Sequence, residues 1–280
     1  MIKINGNPID IGNFPDGTLL LKYNSAAKLR ENCARITWKY ENDCEFLTLI
    51  YLVKHLRDHN INDIYLYMPY IPNARMDRVQ NAEDVFTLKY FAELLNSLKL
   101  TQVNTLDPHS NVSRALINNL SAMDPSPYVL QALDNIKVRR SNLYNPMTML
   151  SKEVYSLTMF YPDEGSTKRY AGMVNLPYAF GIKKRNWETG KIERLDVAGS
   201  VDQIPGKDIL IVDDICSRGG TFLHSAKKLK ELGANDIYLF VSHCENTILE
   251  GELLKGDLIK KVYTTDSIFT KSHEKIEVLK

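Results

Sequence analysis

Residues 208 to 221 read Asp-Ile-Leu-Ile-Val-Asp-Asp-Ile-Cys-Ser-Arg-Gly-Gly-Thr: a four-residue apolar run set against two acids, then a short loop with a hydroxyl, an arginine and two glycines. Ile209, Leu210, Ile211 and Val212 show no polar alternation, the pattern of a parallel strand covered by helices on both faces. Asp213 and Asp214 would then emerge at its carboxyl end, where open α/β sheets bind ligands. Gly219 and Gly220 let backbone approach an anion, and Thr221 to Leu232 reads as a helix whose N-terminus adds amide donors. The acids suit ribose hydroxyls or Mg2+, and the loop suits a phosphate. Taken singly, the same pieces also fit a tight turn and a solvated strand end.

Around this stretch the chain is an ordinary globular sequence. It has 280 residues, 44% of them hydrophobic, and its length favours about two domains. With 35 basic and 34 acidic side chains the net charge is +1, which removes the electrostatic case for a dedicated nucleic-acid binder. The four cysteines, Cys33, Cys44, Cys216 and Cys244, have neither zinc-site spacing nor the density of a disulfide scaffold, so a reducing compartment is expected. The opening Met-Ile-Lys-Ile-Asn-Gly-Asn-Pro lacks the apolar centre of a signal peptide, and no run approaches the roughly 18 apolar residues of a membrane span. A cytoplasmic location, away from membranes, is the expectation.

The chain also resembles itself. Asn-Asp-Ile-Tyr-Leu-Tyr at 62 to 67 recurs as Asn-Asp-Ile-Tyr-Leu-Phe at 235 to 240, an offset of 173. At the same offset Leu49, Ile50, Val53 and Leu56 match Phe222, Leu223, Ala226 and Leu229, the apolar stripe of a helix packed on a sheet. Each half therefore offers a helix, a turn and a hydrophobic strand, the minimal piece of a βαβ fold. Two α/β domains are expected, 1–140 and 141–280, since Asn135 to Met149 lacks sustained periodicity. Further strands are expected at Val103 to Leu106 and Leu157 to Tyr161, and an amphipathic helix at Phe86 to Leu98 with Leu88, Phe91, Leu94 and Leu95 on one face.

Several polar segments follow strands. Asp163-Glu-Gly-Ser-Thr-Lys-Arg could form a second anion loop, Gly165 admitting amides and Asp163 holding a cation; Lys168 and Arg169 equally fit an exposed helical turn. Lys183-Lys-Arg-Asn-Trp-Glu-Thr-Gly-Lys fits a solvated hairpin, or a lid whose cations neutralise a moving phosphoryl group. Arg75 and Arg78 have forks suited to polyphosphate or to surface ion pairs, and His109 follows Asp107 at a strand end, where it could touch a metal or a phosphate.

In this order the pieces resemble the ribose-phosphate pyrophosphokinases, of the type I phosphoribosyltransferase fold. Phe14-Pro-Asp-Gly is similar to the family's adenine-binding hairpin, and Pro72-Asn-Ala-Arg-Met-Asp-Arg to its Pro-Tyr-Ala-Arg-Gln-Asp-Arg. Asp107-Pro-His resembles its Asp-Leu-His, and Pro162-Asp-Glu-Gly-Ser-Thr-Lys-Arg its pyrophosphate loop. Lys183 and Arg185 fall on its catalytic Lys-x-Arg, Asp213 to Thr221 on its ribose 5-phosphate loop, and Thr264-Thr-Asp-Ser-Ile on a late element. Thr18 stands for a usual Glu, Met76 for Gln, Ser166 for a loop Gly, and Ser217-Arg218 for Asp-Thr.

The resemblance implies an α/β fold of two tandem phosphoribosyltransferase-like domains, each a mainly parallel sheet flanked by helices. It implies transfer of the β,γ-diphosphate of ATP to O1 of ribose 5-phosphate, with Mg2+ at His109 and Asp163 and with Lys183 and Arg185 catalytic. Asp213, Asp214, Ser217, Arg218, Gly219, Gly220 and Thr221 would hold the sugar phosphate. Phe14, Asp16, Arg75, Met76, Asp77 and His109 would hold ATP, the first two from a neighbouring subunit of a homo-oligomer. A phosphoribosyltransferase that consumes phosphoribosyl pyrophosphate, and a catalytically silent regulatory homologue, are the alternatives.

Overall fold

The computed structural model describes residues 1–23, 32–141, 157–185 and 192–280, and only the backbone at 138–141, 183–185 and 192–194. Two compact units divide at Asp124 and Pro125. The sequence put the division at 140, because no periodicity was evident from Asn135 onward. Val129, Ala132, Leu133 and Ile136, at helical spacing, instead carry helix Ser126–Ser141 onto the core of the second unit, and Asn135 Nδ2 donates to Glu277 Oε1 at 2.7 Å. The stripe begins before the point where the aperiodic stretch was placed. Among the described residues, no helix is long and apolar enough to cross a membrane.

In the first unit the elements run β1 (Ile2–Ile4), β2 (Asn7–Pro8), β3 (Asp10–Asn13), β4 (Leu19–Lys22), β5 (Cys33–Trp38), α1 (Cys44–Asp58), β6 (Asp63–Tyr67), α2 (Thr87–Ser97), β7 (Gln102–Leu106), α3 (Asn111–Leu116) and β8 (Leu120–Met123). Among the described residues six of these strands form a sheet in the order β2-β1-β5-β6-β7-β8, parallel from β5 to β8, while β3 and β4 form a separate hairpin. Leu49, Val53 and Leu56 of α1 and Leu88, Phe91, Ala92 and Leu95 of α2 pack on this sheet in one core. Leu94, expected on that face, is 53% exposed, and Ala92 is buried in its place. At 100° per residue, position 92 continues the stripe of 88, 91 and 95, and position 94 does not.

The second unit continues with α4 (Ser126–Ser141), β9 (Leu157–Tyr161), α5 (Glu164–Tyr170), β10 (Tyr178–Arg185), β11 (Ile192–Gly199), β12 (Asp208–Cys216), α6 (Gly220–Glu231), β13 (Ile237–Cys244), β14 (Lys261–Thr265) and β15 (Ile276–Leu279). Its described strands pair in the order β11-β10-β9-β12-β13-β14-β15, and only the β10–β11 pair is antiparallel. The apolar run of β12 is central, with β9 and β13 parallel on either side. Its alternation is real but two-sided. Ile209 and Ile211 join the core built with Phe222, Ala226 and Leu229 of α6, whereas Leu210 and Val212 join the one built with α4 and with Tyr170 of α5. A strand with a hydrophobic layer on each face needs no polar position, which is why the run reads as continuous.

The recurring segments correspond to α1 with β6 and to α6 with β13, so the repeat is structural as well as textual. The fold is α/β, with two mainly parallel sheets flanked by helices.

Candidate functional site

The acids of the opening stretch do not lie beyond the strand. β12 runs on to Cys216, pairing Asp213 with Val241, Ile215 with His243 and Cys216 with Cys244. The strand can continue because β13 stays buried along its whole length and keeps offering a paired edge. Asp214 is buried and Asp213 half-buried, and the Asp214 amide donates to Asp213 Oδ1 at 3.0 Å.

Asp214 faces α5. There Arg169 Nη1 lies 3.2 Å from Asp214 Oδ2, and Arg169 Nη2 donates to the hydroxyl of buried Tyr170 at 2.7 Å. The guanidinium carbon also sits 4.9 Å from the Tyr170 ring centroid. The sequence left Arg169 open as a surface residue. Its ion pair joins α5 to β12, a contact that local spacing does not encode. Asp163 caps the same helix: its Oδ1 accepts from the Ser166 amide at 3.0 Å, and Ser166 Oγ accepts from the Asp163 amide at 3.2 Å. Ser166 therefore closes a capping box with Asp163.

Burial raises the Asp213 carboxyl well above the ordinary carboxylate range, and the charges of Asp214 and then Asp163 add to the effect. The sign for stability follows. Above its unfolded value of 3.8 the folded state holds this proton more tightly than the unfolded state, so Asp213 favours folding less and less as pH rises through that window. Asp213→Asn, whose Oδ1 can still accept the Asp214 amide, is expected to raise the melting temperature at pH 7 and to lose that gain near pH 4. Melting curves at both pH values check this, and an equal gain at each would refute it.

The loop after β12 is seated on the segment 245–254. Gly219 has φ +77, and a Cβ there would lie 2.7 Å from Leu253 Cδ2. Glycine is thus required twice over, by conformation and by space. The Leu223 amide is the first to bond back, to the Gly219 carbonyl at 2.9 Å, so the amides of Gly220, Thr221 and Phe222 have no acceptor inside α6. Under the loop, a Cβ on Gly251 would come within 2.0 Å of the Arg218 carbonyl oxygen. Gly251→Ala is expected to displace this loop and to cost about 1–3 kcal/mol of stability through overpacking, which melting curves measure.

Arg218 is exposed and pairs with Glu250 at 3.0 Å, while Ser217 and Thr221 are half-buried. Beneath the loop, Cys216 and Cys244 are both buried and reduced. Contact with Cys244 and burial raise the Cys216 thiol well above its usual range.

Lys183 and Arg185, in the segment that reads as a solvated hairpin or a lid, lie in β10, opposite Leu195 and Ile192 in its antiparallel ladder with β11. Their side chains, and residues 186–191 of the expected lid, lie outside the described residues.

In the first unit, Arg75 is exposed and Met76 and Asp77 are half-buried in the turn after β6. His109 follows β7, two residues past Asp107, which is buried at φ +42. Arg75 and His109 thus follow the carboxyl ends of adjacent parallel strands. Phe14, 50% exposed, and Asp16 occupy the tip of the β3–β4 hairpin, where Asp16 Oδ1 accepts from the Thr18 amide at 3.0 Å. The 173-residue offset sets Tyr40 to Thr48 opposite Asp213 to Thr221, but no glycine pair stands there. A cavity of about 270 Å3 walled by Trp38, Tyr40, Phe46 and Phe91 occupies this end of β5. The glycine-bearing loop of the second unit has no counterpart in the first.

Among the described residues, no group of three or more His, Cys, Asp or Glu is arranged to hold a metal ion. Mg2+ does not need such a cage, because it keeps waters and takes one or two carboxylates with substrate phosphates. The negative charges of Asp214 and Asp163 both act on Asp213, and Arg169 offsets that of Asp214, so Asp213 and Asp163 are the carboxylates a hard cation could take here.

No family model matches the chain. It is 28% identical over 284 residues to a ribose-phosphate pyrophosphokinase of Caldanaerobacter subterraneus subsp. tengcongensis, covering 97% of this chain and 81% of that protein. To the ribose-phosphate pyrophosphokinase of Shewanella oneidensis it is 27% identical over 270 residues, 92% of this chain and 78% of that one. The crystal structure of phosphoribosylpyrophosphate synthetase from Mycobacterium smegmatis superposes with TM-score 0.74 over 97% of this chain and 85% of that one, at 16% identity, and so shares the fold. By sequence along nearly its whole length, the chain is similar to the ribose-phosphate pyrophosphokinases.

Proposed function

We propose that this chain transfers the intact β,γ-diphosphate of ATP to ribose 5-phosphate, giving 5-phosphoribosyl 1-pyrophosphate and AMP. The observation that carries it is the loop 213–221, in which an acid pair held in a buried strand leads into a glycine turn and an open helix N-terminus. The second unit is the sugar-phosphate side: Asp213 and Asp214 take ribose hydroxyls, and Ser217, Arg218, Gly219, Gly220 and Thr221 take the 5-phosphate. The first unit is the ATP side, with Arg75, Met76, Asp77 and His109 along the nucleotide. Phe14 and Asp16 reach the adenine of a neighbouring subunit, so the working form is a homo-oligomer.

In the reaction O1 of the sugar attacks the β-phosphorus and loses its proton, while the bond from that phosphorus to the α,β-bridging oxygen breaks and AMP leaves. Lys183 and Arg185 stabilise charge on the transferring group. Mg2+ bound with the phosphates would neutralise polyphosphate charge, and His109 in the first unit and Asp163 in the second are each a candidate ligand for such an ion. Exclusion of water matters because hydrolysis of ATP competes with the sugar.

The test mixes purified chain with Mg2+, ATP and ribose 5-phosphate and identifies products by mass spectrometry. Sugar-dependent AMP and phosphoribosyl pyrophosphate support the proposal. Base-dependent release of pyrophosphate from phosphoribosyl pyrophosphate identifies a transferase instead, and sugar binding without turnover a regulatory homologue.

A further inference from the structure

We propose that Glu250 is a built-in stand-in for the substrate's phosphate: it holds Arg218 and yields it when the sugar phosphate arrives. The inference rests on the reading of 213–221 as a sugar-phosphate loop, and it adds a competitor for that site.

The two residues are held by their backbones, not by their side chains. The Glu245 amide donates to the Cys216 carbonyl at 2.8 Å, tying the start of the 245–254 segment to the end of β12. Ile248 and Leu253 anchor the same segment in the core. Gly251 lies so close to the Arg218 carbonyl that a Cβ would sit 2.0 Å from it, and Leu253 meets Gly219 from below. Residue 250 is therefore fixed beside residue 218. The side chains differ: they meet at 3.0 Å in water, Arg218 72% exposed and Glu250 59%.

An ion pair in that setting is weak, because water screens it and ordering two long side chains opposes it. A phosphate offers more. It carries up to two charges, its oxygens match the guanidinium fork, and it can also take the amides at the start of α6. The exchange of partners is thus favourable for a phosphate and unfavourable for a neutral sugar, which cannot displace a carboxylate from a guanidinium. Glu250 lowers affinity for every ligand of Arg218 by the same factor, so a ligand that also uses the helix amides is the one that still binds well. Glu250 in this sense sets how tightly the site binds and is not a catalytic residue.

Titration calorimetry with ribose 5-phosphate on the full chain, without ATP, tests the exchange. Glu250→Gln is expected to tighten binding about two- to fivefold, and Arg218→Ala to weaken it about tenfold or more. The double variant is expected to match Arg218→Ala, since the carboxylate acts through the arginine. Unchanged or weaker binding in Glu250→Gln, tightening by Glu250→Gln when Arg218 is already alanine, or no binding to the unaltered chain each overturn the proposal. Both side chains are exposed, so melting temperatures should hold. Binding alone decides this inference, while AMP formation decides the reaction, and either can fail without the other.

Discussion

Replacing Arg169 by alanine is expected to lower the stability of the second unit by about 3 kcal/mol, the low end of what removing one partner from a buried ion pair costs. The low end applies because Arg169 keeps 26% of its side chain exposed while Asp214 keeps 6%. Without the guanidinium, Asp214 is a buried carboxylate close to a second one, and the 2.7 Å bond to the Tyr170 hydroxyl is lost. At roughly 2–4 °C per kcal/mol for a unit of this size, the second unit's transition should fall by about 6–12 °C. Differential scanning calorimetry is the appropriate measurement, because two compact units need not melt together. Arg169→Lys keeps the charge but loses the fork and the contact with the ring, so it should fall between. A loss below 1 kcal/mol in the alanine variant would mean that the pair is solvated and contributes nothing.

The largest expected effect on turnover comes from Lys183. Lys183→Ala should slow AMP formation by about two to three orders of magnitude, equivalent to roughly 3–4 kcal/mol of transition-state stabilisation. The backbone at 183 is held opposite Leu195 in an antiparallel ladder, so the truncation should leave the melting temperature and ribose 5-phosphate binding in place. That combination separates a role in the chemistry from one in folding. Near-normal AMP formation would remove Lys183 from the mechanism.

What the sequence disclosed and what it hid divide along the range of the interaction. The covered strand at 209–212 and the helix-strand repeats were legible because burial writes itself into local spacing. The end of β12 was not, since whether Asp213 and Asp214 stand inside a strand depends on how far β13 offers a paired edge. Arg169 looked like a surface cation because its partner is reached only through the order of strands. Likewise Gly251, which no motif marks, matters only because the loop above it is close. Leu94 and the start of α4 were errors of phase and of window, correctable from the residues themselves.

Because Asp213 is locked into the parallel ladder with β13, in a strand whose preceding residues 208–211 also pair with β9, the acid pair would have little conformational entropy left to lose if a sugar docked there. The amides of β12 should accordingly be among the slowest to exchange with deuterated solvent, slower than those of Gly220 and Thr221 only two turns of chain away. Under the proposed function, such a site would recognise the ribose with a preformed surface. Any rearrangement that accompanies turnover must then come from segments outside this sheet's centre.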